Sequence, residues 1–200
     1  MSEFGAYSEV GKLRRVIVHR PGHEMRRLTP SNAREFLFED VIWARKARKE
    51  HDAFVDVMRN DFGIEVLLVH ELLESVVENV EGRRYLLDRK LTPDEVGVSG
   101  VGILREWMDE LDSATLVKHL IGGLTVEELP SDLSPSAHGA WSGTDMVLPP
   151  LPNQLFTRDT SAWIYGGVTV HPMFFPARTK ESLHMAAIYK HHPDFKNGDF

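Results

Sequence analysis

The apolar positions of this chain change period as the sequence proceeds, and the changes mark its parts. Arg15-Val16-Ile17-Val18-His19 is short, β-branched and closed by Arg20-Pro21-Gly22, which predicts a strand followed by a turn. Thr29-Pro30 or Ser31 can cap a helical segment after it. From Trp43 the residues Ala47, Phe54, Val55 and Met58 fall on one helical face with charges opposite, predicting a helix to about Asn60. Gly63 ends that helix, and Ile64 to Val69 reads as the next strand. Strand, helix and strand at this spacing make an α/β unit with a crossover connection.

From Glu71 the pattern turns to short helices. Thr92-Pro93-Asp94-Glu95 has the form of a capping box with proline at the first helical position. Leu104, Trp107, Met108 and Leu111 line one predicted face, and Leu116, Val117, Leu120 and Ile121 another, which Gly122-Gly123 terminates. These segments predict an inserted helical bundle with Pro130 to Gly143 as its loosest part, its methionines and tryptophans serving as core. Strand patterning returns at Val147. Ser161 to Tyr165 and Val168 to Val170 read as a hairpin turning on Gly166-Gly167, and Leu183, Ala186 and Ala187 mark a helix over Thr179 to His192. The chain therefore divides into an α/β unit at 1–71, a helical insertion at 72–145 and a second, incomplete α/β unit at 146–200.

Composition narrows the classes. Hydrophobic residues make up 42% and charged residues 26% of 200 residues, ordinary for a globular protein able to bury a core. The net charge of −7 leaves no basic stripe for nucleic acid. Arg45, Lys46, Arg48 and Lys49 are interleaved with Glu50 and Asp52, the pattern of a solvated helix face. No apolar run approaches a membrane span, and Met1 to Gly5 lacks the form of a signal segment, so a cytoplasmic location is expected. There is no cysteine, hence no disulfide framework.

Candidate chemistry concentrates in Val147 to Arg178. There a Thr157-Arg158-Asp159-Thr160 knot lies between Leu155-Phe156 and Trp163-Ile164-Tyr165. Charges so flanked are expected to be partly desolvated and to need partners. One reading is a structural Arg158–Asp159 pair at a strand start. His184, His191-His192 and Asp194 invite a metal reading, but no four-ligand set emerges, and histidines suit a helix C-terminus in any case.

Several blocks in order carry a resemblance. Ser8 to Val18, Leu28 to Asn32, Phe36-Leu37-Phe38-Glu39-Asp40-Val41-Ile42-Trp43, Leu87 to Lys90, Leu120 to Gly123 and the Val147 to Arg178 run resemble the arginine deiminase family of guanidine-modifying enzymes. No motif is matched between Ser131 and Asp145. The resemblance implies a five-bladed α/β propeller (pentein-like) carrying an inserted helical bundle, here cut after its second blade. It implies hydrolysis of L-arginine to L-citrulline and ammonia, with no cofactor and no metal, in a protein that self-associates as a homo-oligomer. It assigns Asp159 to the substrate guanidinium as a catalytic and binding carboxylate, and Phe156 to the aromatic wall beside the substrate. Arg178 is matched to the α-carboxylate, Asn153 to the amino-acid end, Leu37 to the aliphatic part, and Leu37 with Asp40 to the gate over the pocket.

These roles suit the residue types. A guanidinium is planar, always charged and presents forked donors that a carboxylate can receive. Other readings remain for these residues: Asn153 beside Pro152 as a turn residue, Arg178 as a helix cap or a partner of Glu181, Leu37 as packing, and Asp159 in the structural pair with Arg158. The family's nucleophile is a cysteine aided by a histidine and a glutamate from its second half. Thiolate chemistry needs a thiol, and this chain has none. The expectation is therefore an N-terminal half that does not catalyse alone. Competing readings are another guanidine-modifying enzyme, an amidinotransferase or dimethylarginine hydrolase, and a non-catalytic arginine-binding fragment.

Overall fold

The computed structural model of the protein describes residues 4–131, 133 and 144–195, so much of the expected loose stretch at 130–143 lies outside the described residues. The predicted order of strand, helix and strand forms in the first part of the chain. Strand β1 (Arg15–Val18) pairs in parallel with β2 (Glu65–Leu68), joined through helix α1 (Ala44–Asp56) and a further turn over Val57–Asp61. Val55 and Met58 of that helical stretch pack on Val66 and Leu68, with Val16, Val18 and Ile64 at the margin. Gly63 takes a φ of 62°, which a residue without a Cβ adopts freely, and so ends the helix.

Two expectations fail in this unit. Phe54 and Trp43 are 55% and 68% exposed, so the apolar face of α1 is narrower than its periodicity suggests. The stretch after Thr29-Pro30 is a succession of turns and not a helix, stabilised by Asn32, whose Oδ1 accepts from the Thr29 amide and whose Nδ2 donates to the Arg27 carbonyl.

Helix α2 (Val69–Glu78) follows β2 without a break, and α3 (Val80–Lys90), α4 (Pro93–Val96), α5 (Val98–Glu110) and α6 (Ser113–Gly122) complete the helical region. Val69, Leu72, Leu73, Val76 and Val77 of α2 are all buried, the i, i+3, i+4, i+7, i+8 stripe of a helix facing a core. Asn79 caps α3 by accepting from the Glu81 and Gly82 amides, and Asp112 caps α6 by accepting from Thr115. A Cβ at Gly82 would collide with the Val76 carbonyl, so this glycine sets how closely α2 and α3 approach. The predicted faces hold: Leu104, Met108, Leu116, Val117, Leu120 and Ile121 are buried, and Trp107 and Leu111 pack against them. Gly123, at φ 76°, closes α6. The capping box does not form at Thr92, whose side chain makes no capping bond; it forms at Thr125, where Glu128 supplies the reciprocal carboxylate.

Strand β3 (Leu124–Thr125) pairs antiparallel with β4 (Met146–Leu148). A one-turn helix α7 (Thr157–Thr160) leads into the antiparallel hairpin β5 (Ser161–Ile164) and β6 (Gly167–Val170), and α8 spans Thr179–His191. Ile164 pairs with Gly167, so the turn is Tyr165-Gly166, one residue earlier than expected. Tyr165 takes φ 52° there and exchanges backbone hydrogen bonds with Ala6, which explains the shifted register. The inner face of α8 is Glu181, His184, Met185, Ala187, Ile188 and Tyr189, with Leu183 and Ala186 only half buried. This face completes the main core with α2, α3, α5 and α6. The fold is mixed α/β. Among the described residues the sheets are three separate two-stranded pairs and none closes. No helix there is long and apolar enough to cross a membrane.

Candidate functional site

The site is assembled where three irregular segments meet at the start of α8. The first is the short helical turn Pro152–Leu155, entered through a proline that has no N–H to leave unpaired. It buries Asn153, whose Nδ2 donates to the Phe36 carbonyl at 2.7 Å. Phe36 itself is buried with Met25 and Leu28, and Leu155 and Ala177 pack on that cluster. Asn153 is thus a buried tie between distant segments, more than a turn residue.

Leu37 follows Phe36 directly. It is 40% exposed and sits at φ 63°, a conformation that crowds a branched side chain. Hydrogen bonds from the Leu37 and Phe38 amides to the Arg34 and Ala33 carbonyls hold it there. Its neighbour, not Leu37 itself, fills the apolar cluster. Asp40 is exposed, its carboxylate accepting from the Val41 amide.

The second segment is Phe156 with α7. Phe156 is 48% exposed, and its amide donates to the Asn153 carbonyl. Thr157 fastens α7 to the first unit by donating to the Ile17 carbonyl at 3.0 Å, and His171 Nδ1 lies 2.9 Å from the Asp159 carbonyl. These ties orient Asp159 with its side chain half exposed. The alternative reading, a structural Arg158–Asp159 pair, is not found among the described residues. Arg158 points away, 71% exposed, toward Glu9 at 3.2 Å, so the expected desolvation of the knot does not extend to it. Successive residues of a helical turn face different directions, which makes an i,i+1 ion pair unfavourable.

The third segment is the turn Pro176–Arg178. Arg178 is largely buried and reaches all the others. Its Nη1 donates to Asp159 Oδ2 at 2.9 Å, its Nε and Nη2 donate to Glu181 Oε2 at 3.0 and 2.9 Å, and Nη2 lies 3.5 Å from the Asn153 carbonyl. Its guanidinium carbon stands 5.8 Å from the centre of the Phe156 ring. Burial disfavours the charge of Arg178, and the hydrogen bonds to Glu181 and Asp159 more than offset this, holding its pKa above the ordinary value. Burial pushes the Glu181 carboxyl up to about 7, with the hydrogen bonds and charge of Arg178 opposing.

Asn153, Phe156, Asp159 and Arg178 are therefore brought together, with Leu37 one residue from the carbonyl that Asn153 holds. The sequence offers Glu181 only as an alternative partner for Arg178; it is fully buried and bound at once with Asp159 to the same guanidinium. Its i,i+3 spacing from Arg178 was the available signal, but burial of a glutamate on a helix is not legible from spacing.

Behind this rim lies a buried polar layer that the sequence pattern did not reveal. His184 Nδ1 meets Gln154 Oε1 at 2.9 Å, both residues fully buried. Burial keeps His184 well below the ordinary imidazole range, and the charge of Lys90 adds to the effect. Lys90 is itself fully buried, its Nζ has no hydrogen-bond partner among the described residues, and burial pushes it down to about 8. The histidines of the metal reading diverge: His191 lies against Tyr85, and His192 is 3.9 Å from Asp194. Among the described residues no group of three or more histidine, cysteine or acidic side chains converges.

A cleft of about 790 Å³ is lined by Arg15, Ile17, Thr157, Arg158 and Trp163 among others, and includes none of the four gathered side chains. The gathered site is instead an open rim. A half-exposed carboxylate, an aromatic face and a guanidinium that reaches the rim are suited to a ligand with a cation at one end and a carboxylate at the other, and the buried Asn153 braces them from behind. Residues 34–200 of the chain match the family model for arginine deiminase, a stretch that contains all five of the predicted site residues.

Proposed function

Since the chain belongs to the arginine deiminase family, we propose that it recognises L-arginine for conversion to L-citrulline and ammonia. In this reading Asp159 receives the substrate guanidinium in forked hydrogen bonds, and Phe156 lies along it and excludes water. Arg178 and Asn153 take the α-amino-acid end, and Leu37 contacts the aliphatic chain. The observation that carries this reading is the convergence of Asp159 and Arg178, at 2.9 Å, beside Asn153 and Phe156.

The chemistry proposed is attack by a thiolate on the guanidinium carbon, departure of ammonia, and hydrolysis of the carbon–sulfur bond by water to give citrulline. The 200 residues contain no cysteine, so the part assigned to them is recognition, and no citrulline should form from this chain alone. We further read the β1–α1–β2 unit and the β5–β6 hairpin with α8 as two units of a larger α/β propeller, on the support of the parallel crossover pairing and the helical insertion between them.

The test is Asp159→Asn, with arginine binding measured by calorimetry and folding by thermal melting. Charge-assisted hydrogen bonds contribute about 1.5–3 kcal/mol each, so affinity should fall at least about tenfold. The melting temperature should hardly move, because a half-exposed ion pair adds little stability. Undiminished arginine binding by the folded variant removes Asp159 from the site.

A further inference from the structure

Arg178 has two carboxylate partners that differ in burial and in the donors they take. Glu181 is fully buried, lies one helical turn-step away on α8, and takes two of the donors, Nε and Nη2, on a single oxygen at 3.0 and 2.9 Å. Asp159 is half exposed and takes one donor, Nη1, at 2.9 Å. No incoming molecule reaches Glu181, whereas one can reach Asp159. The other oxygen of Glu181, Oε1, has no hydrogen-bond partner among the described residues, so its polar contacts there are all with Arg178. A buried carboxylate kept for a single guanidinium is costly for stability alone. It does fix the plane of a long, flexible side chain before a ligand arrives.

We propose that Glu181 is the positioning residue that makes Arg178 a receptor for the α-carboxylate, and that Asp159 is the exchangeable partner which the substrate displaces. The proposal rests on the arginine-binding reading above. In the ligand-free site the two recognition charges satisfy each other. An arginine entering the rim trades one pair for two: its guanidinium takes Asp159, its carboxylate takes the Nη1 that Asp159 vacates, and Glu181 keeps Arg178 in place throughout. The guanidinium and carboxylate of the ligand, Asp159 and Arg178 each end with an opposite partner. Preference for the amino acid over the amine that lacks its carboxylate is then set by a residue that never touches the ligand.

The experiment titrates the chain with L-arginine and with agmatine, which carries the guanidinium without the carboxylate, and records the Arg178 Nε–H signal by nitrogen-15 NMR. The wild type should prefer L-arginine, with the Nε–H protected from hydrogen exchange. Glu181→Gln should weaken L-arginine binding about tenfold, change agmatine binding less than about twofold, and lose the Nε–H protection. Equal weakening of both ligands would show Glu181 to be mere packing and overturn the proposal. If the wild type binds neither ligand, the arginine-binding reading fails and the ligand preference proposed here fails with it. The anchoring role is still decided by exchange, because protection that survives Glu181→Gln overturns it. Asp159→Ala, an exposed substitution that should fold, must retain the protected Nε–H; its loss would make Asp159 the anchor and overturn the division of roles.

Discussion

The helical core and the rim around Arg178 share α8 but are held together by opposite means. In the core, Leu73, Val76, Leu86, Met108 and Leu120 are fully buried, and the order of the helices follows from matching apolar stripes. In the rim, Leu37, Phe156 and Asp159 remain 40–49% exposed, and little apolar area is available to hold them. Their order comes from single polar ties between segments far apart in the chain. Asn153 bonds a carbonyl 117 residues away and Thr157 one 140 residues away. The lesson is a division of labour. Apolar packing makes the scaffold stable, and a few directed hydrogen bonds carry that rigidity to side chains that stay half exposed.

The comparison breaks most readily in the core. Leu73→Ala should destabilise by about 2–5 kcal/mol, the range for a cavity left by a buried leucine. Denaturant unfolding measures this, and a loss below about 1 kcal/mol would mean that the bundle is not the main source of stability.

A somewhat smaller effect of opposite sign sharpens the boundary between core and polar layer. Burial holds Lys90 at about 8, below its ordinary 10.5. A depressed lysine favours the fold above 10.5 and loses that contribution as pH falls through about 8, so at neutral pH the charged amine is a burden on the native state. Lys90→Met should therefore stabilise the protein at pH 7, on the order of 3 kcal/mol. The gain should shrink as pH rises from about 8 toward 10.5, as melting curves across that range would record. A destabilised variant would instead mean that Lys90 serves a polar partner beyond the described contacts.

The smallest expected effect is at Arg158, beside Asp159 in the chain but outside the rim. Its contact with Glu9 is exposed on both sides, and such pairs contribute about 0–1 kcal/mol. Arg158→Ala should leave the melting temperature almost unaltered and arginine affinity within about twofold, a change no larger than surface substitutions produce. A large loss of affinity would extend the site to the residue on the other side of Asp159.

Local chemistry settles much of this protein. The β-branched run at Arg15–Val18, the glycine at position 63, the faces of α5 and α6 and the stop at Gly122-Gly123 all depend on neighbours within a turn or two, and all are legible in the sequence. The resemblance also singles out Asn153, Phe156, Asp159 and Arg178, which the structure brings together. Their partners are not legible in the sequence. Periodicity shows which side chains share a face, but it does not show what that face meets. Hence Phe54 is exposed although it falls on the apolar side of α1, and Glu181 and His184 are buried although they are polar positions of α8. The hairpin turn moves to Tyr165 because Ala6, far back in the chain, pairs with it. Asp159 faces Arg178 and not the adjacent Arg158 for the same reason. Helical geometry separates neighbouring side chains, and only the docking of distant segments decides which charges are brought within hydrogen-bonding distance.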